Sequence, residues 1–287
     1  MSTLDRGRIE ALVKEALARG GNGDGHGDGA APVVESGGGV LLGLDRGKNL
    51  GEPFDPAAME AILEATPARV AVGRAGTRYR TNTLLRFRAD HAAAKDAVLS
   101  EVDPALIERL GLLALTSRAR DKTEFLQRPD LGRALSDESR ALCEGRLPRG
   151  ADVTLVYGDG LSAAAINTHL EAFHRALLPQ LSARGIRVGG AAFVRYSRVK
   201  VMDVVCRLTE SAACSFVCGE RPGLGFSDSL SAYFIYRPPS GQPTDADREV
   251  ISNIYPRGLD VERGAAALAE ALQRVLRDRK SGVVFGG

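Results

Sequence analysis

Apolar residues at Ile9, Leu12, Val13, Ala16 and Leu17 recur at helical spacing and leave Arg8, Glu10, Lys14 and Glu15 on the opposite side. This pattern predicts an amphipathic helix over 1–20, stopped by Gly20 and Gly21. The following stretch, "GGNGDGHGDGAAPVVESGGG", is too rich in glycine and polar residues to offset the entropy of ordering, so 21–50 reads as a flexible tether. From 51 to 150 the periodicity is mainly helical. "DPAAMEAILEA" opens with an Asp cap and a Pro in its first turn, and "TNTLLRFRADHAAAKDAVL" reads as a long helix. Between them "ARVAVGRAGTRYRT" reads as a strand-like run ending in a G-x-x-G, either an anion cradle or a tight turn.

After Gly150 the rhythm changes. "ADVTLVYGDG", "IRVGGAAFVRY", "ACSFVCG" and "SLSAYFIYRP" predict strands; "LSAAAINTHLEAFHRALLPQLSARG", "SRVKVMDVVCRLTESA" and "VERGAAALAEALQRVLRDR" predict helices. Strands alternating with helices predict an α/β fold, a Rossmann-like doubly wound domain over 151–287 behind a mainly helical region and a tethered amphipathic helix. Ligands of such sheets bind outside the carboxyl ends of the strands, where loops splay and helix N-termini point. That rule selects Asp159 and Gly160, then Tyr196, Arg198 and Val199, then Glu220 to Gly225, with Asn253 and Tyr255 expected from a later loop "ISNIYPRG".

Composition narrows the function classes. A chain of 287 residues with 44% hydrophobic content can bury a real core, and a net charge of +2 gives no reason to expect nucleic acid or an anionic membrane as partner. Neither a signal peptide nor a bilayer-length apolar run is evident. Cys143, Cys206, Cys214 and Cys218 lack paired C-x-x-C spacing; Cys214 and Cys218 share a strand face and read as buried thiols, which fits a reducing cytoplasm. Asp24, His26, Asp28 and Glu35 sit near EF-hand positions, but without an exit helix and with Pro32 intervening, so no metal site is expected.

Candidate chemistry is sparse. His169 and His174 fall inside a helix and read as packed, His91 reads as a solvated or interface residue, and no rim Ser, Cys or Asp has an evident base beside it. No catalytic residue is therefore assigned. "GERPGLG" lacks the Lys-Ser/Thr pair of a P-loop, and "YGDGLSAAA" supplies two glycines of a dinucleotide fingerprint without the third. The same loop lacks the histidine of the D-x-H-x-x-G motif of base-off cobalamin domains.

Taken together, "VGRAGTRYRTNTLLRFRADHAAAKDAVL", "RPDLGRAL", "VYGDGLSAAAI", "FVRYSRVK", "GERPGLGFSDSLSAY" and "ADREVISNIYPRG" resemble, in order and spacing, the small subunit of ethanolamine ammonia-lyase. The likeness runs from about Ala68 to Arg279. It implies one subunit of a carbon–nitrogen lyase that uses adenosylcobalamin to convert ethanolamine to acetaldehyde and ammonia through an adenosyl radical. A barrel-forming large subunit would supply the substrate pocket, and this chain would cover the cobalamin from the other side within a hetero-oligomer. In this family the cobalamin keeps its own dimethylbenzimidazole on cobalt, so no D-x-H-x-x-G histidine is needed. The resemblance implies cofactor contacts at Val199, Glu220 and Val250. Some relatives carry Cys at the place of Val250, which favours a backbone or packing contact there. Arg198 and Arg221 are further candidates, for a phosphate or an amide group. The helix of 1–20 is similar to peptides that load ethanolamine-using enzymes into bacterial microcompartments, with a shell protein as partner. The alternatives are a stand-alone cobalamin carrier or sensor and, with an incomplete fingerprint against it, a nicotinamide-dependent oxidoreductase.

Overall fold

The computed structural model describes residues 50, 53–66, 68–237 and 243–282. The amphipathic helix expected over 1–20 and, apart from Leu50, the tether expected over 21–50 lie outside the described residues.

The first described elements are helix α1 (Pro56–Ala65), capped by the Asp55 carboxylate, and helix α2 (Thr81–Leu99). The run before α2 forms no long strand. Its described structure is a hairpin of β1 (Arg74–Ala75) and β2 (Arg78–Tyr79), turning at Gly76 with φ +63°. Of the two expectations for this G-x-x-G, the tight turn holds.

A six-stranded sheet follows, in the order β3-β5-β4-β6-β7-β8. Its strands are β3 (Leu113–Thr116), β4 (Val153–Gly158), β5 (Val188–Arg195), β6 (Ala213–Gly219), β7 (Leu230–Tyr236) and β8 (Glu249–Ile254). Helices α3 (Pro104–Arg109), α4 (Lys122–Gln127), α5 (Asp137–Arg146), α6 (Ala163–Ala183), α7 (Val201–Thr209) and α8 (Val261–Asp278) complete the order. The fold is α/β, as the periodicity predicts, but the sheet is mixed. Strands β3, β5, β4 and β6 run parallel; β7 and β8 are antiparallel, because β6 enters β7 through the loop 220–229 with no helix between them. The sheet also takes its edge strand β3 from before residue 150. "ISNI", expected as a loop, belongs to β8.

Alternation divides the core. Val153, Leu155 and Tyr157 of β4 and Val217 of β6 face α6 and α8, joining Ile166, Leu170, Phe173 and Leu177 of α6, all fully buried. Val156, Cys214, Phe216 and Cys218 face the other way, against Val201, Met202 and Val205 of α7 and Cys143 of α5. Every strand of the centre is therefore covered twice, which is why β4 and β6 read as continuous apolar runs. On the β7–β8 side the second face opens: Tyr233 is half-buried, and Val250, its partner across the β7–β8 ladder, is 48% exposed.

Candidate functional site

At the carboxyl end of β4 the chain must turn sharply into α6. Gly160 takes φ +54°, and a Cβ there would lie 2.4 Å from the Gly219 carbonyl oxygen. Leu161 N–H donates to that same carbonyl at 3.0 Å, so the ends of β4 and β6 are stitched together. Ser162 then caps α6, accepting from Ala165 N–H at 3.1 Å while its hydroxyl donates to the Ser227 carbonyl at 2.7 Å.

Asp159 lies on the expected rim but turns inward. Its carboxylate is 1% exposed and accepts from the Tyr196 and Ser197 N–H groups, both at 3.0 Å, with Lys122 Nζ of α4 at 3.5 Å. Burial pushes this carboxyl upward, and Lys122 and the two N–H donors oppose the shift. The pair of N–H bonds holds the β5–α7 turn, where Tyr196 takes φ +55°. Asp159 is thereby a support for Arg198 and Val199 rather than a ligand group.

Arg198 is gripped from several sides. Its N–H donates to the Gly132 carbonyl at 2.7 Å, its guanidinium lies 4.4 Å from the Phe125 ring centroid, and Nη2 reaches the Phe125 carbonyl at 3.4 Å. Its buried Nε has no hydrogen-bond partner among the described residues. Burial first, then Arg221 and Arg133, depress its pKa from the usual arginine value, yet an arginine starts so high that it stays charged.

Glu220 leaves β6 at the mouth of the loop 220–229, where its N–H donates to the Ser229 carbonyl at 2.9 Å. Its carboxylate accepts from Ser229 Oγ at 3.3 Å, from Ser231 Oγ and from Asn253 N–H at 3.4 Å. Asn253 reaches it from β8 with φ +57°. The loop itself is anchored by Phe226 stacking on Tyr255 at 4.3 Å and by Arg69, whose guanidinium bridges Asp90 and the Leu224 carbonyl. Tyr255, expected on the rim from a later loop, is buried in that stack.

Of the residues singled out in the sequence, Val199 and Glu220 are half-buried and Arg221 is exposed. Val199 and Tyr233 each pack at the margin of the α7-side core, and the β7–β8 register puts Val250 opposite Tyr233 on that face. Glu220 is joined to the same face through Ser231, two residues before Tyr233. Val250 therefore lies along the open face, several residues from the strand end where Asn253 and Ile254 sit. Sequence reading missed Ser229, Ser231 and Tyr233, polar groups at every second position of an otherwise apolar strand; that alternation was the available signal. Burial raises the Tyr233 pKa, with Cys218 and Glu220 adding to the effect.

The remaining titratable groups are structural. His174 Nδ1 and Tyr157 Oη lie 2.7 Å apart in the core, and His169 Nε2 lies 3.4 Å from Asp228 Oδ2, at ion-pair distance but outside hydrogen-bond geometry. All four cysteines are buried and none is in a disulfide; burial pushes Cys143 up to about 11 and Cys218 higher still, which keeps those two as unreactive thiols.

These features define an α/β protein with an open β7–β8 face, Arg198, Glu220 and Arg221 in the loops beyond the carboxyl ends of β5 and β6, and, among the described residues there, no nucleophile hydrogen-bonded to a histidine. The family model for the ethanolamine ammonia-lyase light chain (EutC) matches residues 56–285. The ethanolamine ammonia-lyase small subunit of Clostridium acetobutylicum is 41% identical over 225 residues, covering 78% of this chain and 93% of the relative. That of Clostridium perfringens is 40% identical over 232 residues, covering 80% and 78%. The chain belongs to the ethanolamine ammonia-lyase light chain family.

Proposed function

We propose that this chain is the small subunit of an adenosylcobalamin-dependent ethanolamine ammonia-lyase, joined to a large subunit that carries the substrate site. The observation that supports the reading is that Val250 lies opposite Tyr233, Glu220 is tied to the same strand through Ser231, and Val199 borders the same side of the sheet. Bound adenosylcobalamin would supply the radical chemistry by which ethanolamine becomes acetaldehyde and ammonia.

The residues present suit a bulky, amide-rich ligand. Val199, Tyr233 and Val250 offer an apolar and aromatic shelf without a covering side chain at Val250. Glu220, fixed by three donors, keeps lone pairs for a ligand amide, and Arg198 Nε is a buried donor still in need of an acceptor. No residue here performs the bond-breaking step. The part of this chain is to bind and orient the cofactor and to keep water from one side of it.

The test is co-expression with a large subunit of the family. A stable complex with deaminase activity that requires both adenosylcobalamin and ethanolamine is the expected result; a complex inactive toward every amino alcohol refutes the proposal. Corrinoid binding by this chain alone, with no large subunit able to associate, would point to a carrier instead.

A further inference from the structure

Arg133 and Arg221 lie near enough to Arg198 to act on its charge, with few carboxylates left to balance the three. Arg198 projects from the start of α7, and Gly132 lies so close beneath it that a Cβ there would stand 2.9 Å from Arg198 Cγ. Arg133 is the next residue after Gly132 in the same short turn. Arg221 enters from the end of β6, the strand paired with β4. Arg133 and Arg221 are exposed, and among the described residues neither makes an ion pair or side-chain hydrogen bond. The acidic groups Asp130, Asp159 and Glu220 of the adjoining segments are engaged. Asp130 takes a bidentate grip from Arg128 at 2.8 and 3.0 Å, Asp159 is held by Lys122 and two N–H groups, and Glu220 by Ser229, Ser231 and Asn253.

Like charges gathered at a half-buried position repel one another and cost stability unless an anion joins them. A neutral amide oxygen would satisfy Arg198 Nε but would leave the repulsion in place. A phosphoryl group does both, since its oxygens accept from several guanidinium groups at once. We infer that Arg133, Arg198 and Arg221 form a subsite for a phosphate or phosphodiester anion. The inference rests on the cobalamin reading for one of its two sources: the phosphodiester of the cofactor's nucleotide loop, the other being free inorganic phosphate. It adds Arg133 to the site and decides between a phosphate and an amide as the partner of Arg198 and Arg221.

The experiment compares two corrinoids on the complex of this chain with its large subunit, by absorbance titration at low salt. Cobalamin carries the phosphodiester and cobinamide lacks it. Arg133→Gln and Arg221→Gln, both at exposed positions, are each expected to weaken cobalamin about tenfold and to leave cobinamide unchanged, with the cobalamin loss shrinking as salt rises. Equal weakening of both corrinoids, or no weakening of either, overturns the assignment of the phosphodiester. If the wild-type complex binds neither corrinoid, the cobalamin reading fails by itself, and calorimetric titration with inorganic phosphate decides the subsite. Saturable binding that Arg133→Gln abolishes then supports the free anion, and no phosphate binding overturns the inference.

Discussion

Glu220 illustrates how much of a residue's role depends on its neighbours. In the sequence it is one acid at the mouth of a glycine-rich loop; folded, it joins three segments, because Ser229 and Ser231 of the β7 entry and Asn253 of β8 all donate to it. Replacing it with Ala would remove a ligand acceptor and leave those donors to water. Glu220→Ala is expected to weaken cobalamin binding in the complex by about tenfold with the ethanolamine KM unchanged, as read by titration of the cofactor at saturating substrate. A raised KM with normal cofactor affinity would remove Glu220 from the cofactor face. That Arg198, Val199 and Glu220 lie just beyond the carboxyl ends of strands was legible from the alternating pattern. The inward turn of Asp159 was not, since nothing local says whether a rim carboxylate meets a ligand or two backbone N–H groups.

At the scale of elements, the glycines that end β4 and β6 decide how α6 meets the sheet. A Cβ on Gly219 would stand 2.0 Å from the Ser162 carbonyl oxygen, backbone that cannot step aside without moving the first turn of α6. Gly145 of α5 has open space around its missing Cβ. Gly219→Ala is therefore expected to destabilise by ~3 kcal/mol, whereas Gly145→Ala is expected to stabilise by ~0.5 kcal/mol, both measured by urea unfolding. Similar effects at the two sites would mean that the β4–β6 contact has slack. The helices and most strands were readable because their apolar spacing matches a period of 3.6 or a short buried run. Strand β8 was missed for a physical reason: as an edge strand, with Val250, Ser252 and Asn253 exposed, it carries little of the apolar signal that burial imposes.

The whole molecule responds to acid through its core. Burial lowers the pKa of His174, which sits 2.7 Å from Tyr157 Oη and is 7% exposed, so the folded protein favours the neutral ring. An unfolded histidine titrates near ~6.5. Below that pH the unfolded chain takes up a proton that the folded chain does not, so this contribution to stability is complete above ~6.5 and is lost as pH falls through the lower, folded pKa. Urea midpoints taken at pH 8 and pH 5.5 should therefore drop more in wild type than in His174→Gln; equal drops would assign the acid sensitivity elsewhere. Removal of residues 1–20 tests the proposed association with a compartment shell. Deaminase activity of the complex should persist while co-purification with shell proteins is lost, and loss of activity would refute a cargo role.

The sequence by itself determined the long helices and the strands β4 to β7, because periodicity is a local record of which side chains must leave water. It also determined the family, through motifs spread from Ala68 to Arg279. Only the tertiary structure decided that β7 and β8 run antiparallel, that Val250 lies along an open face, and that Gly132 packs against Arg198. Those facts depend on register and on contacts between residues far apart in the chain, and no local pattern encodes where a distant guanidinium or carboxylate will come to rest.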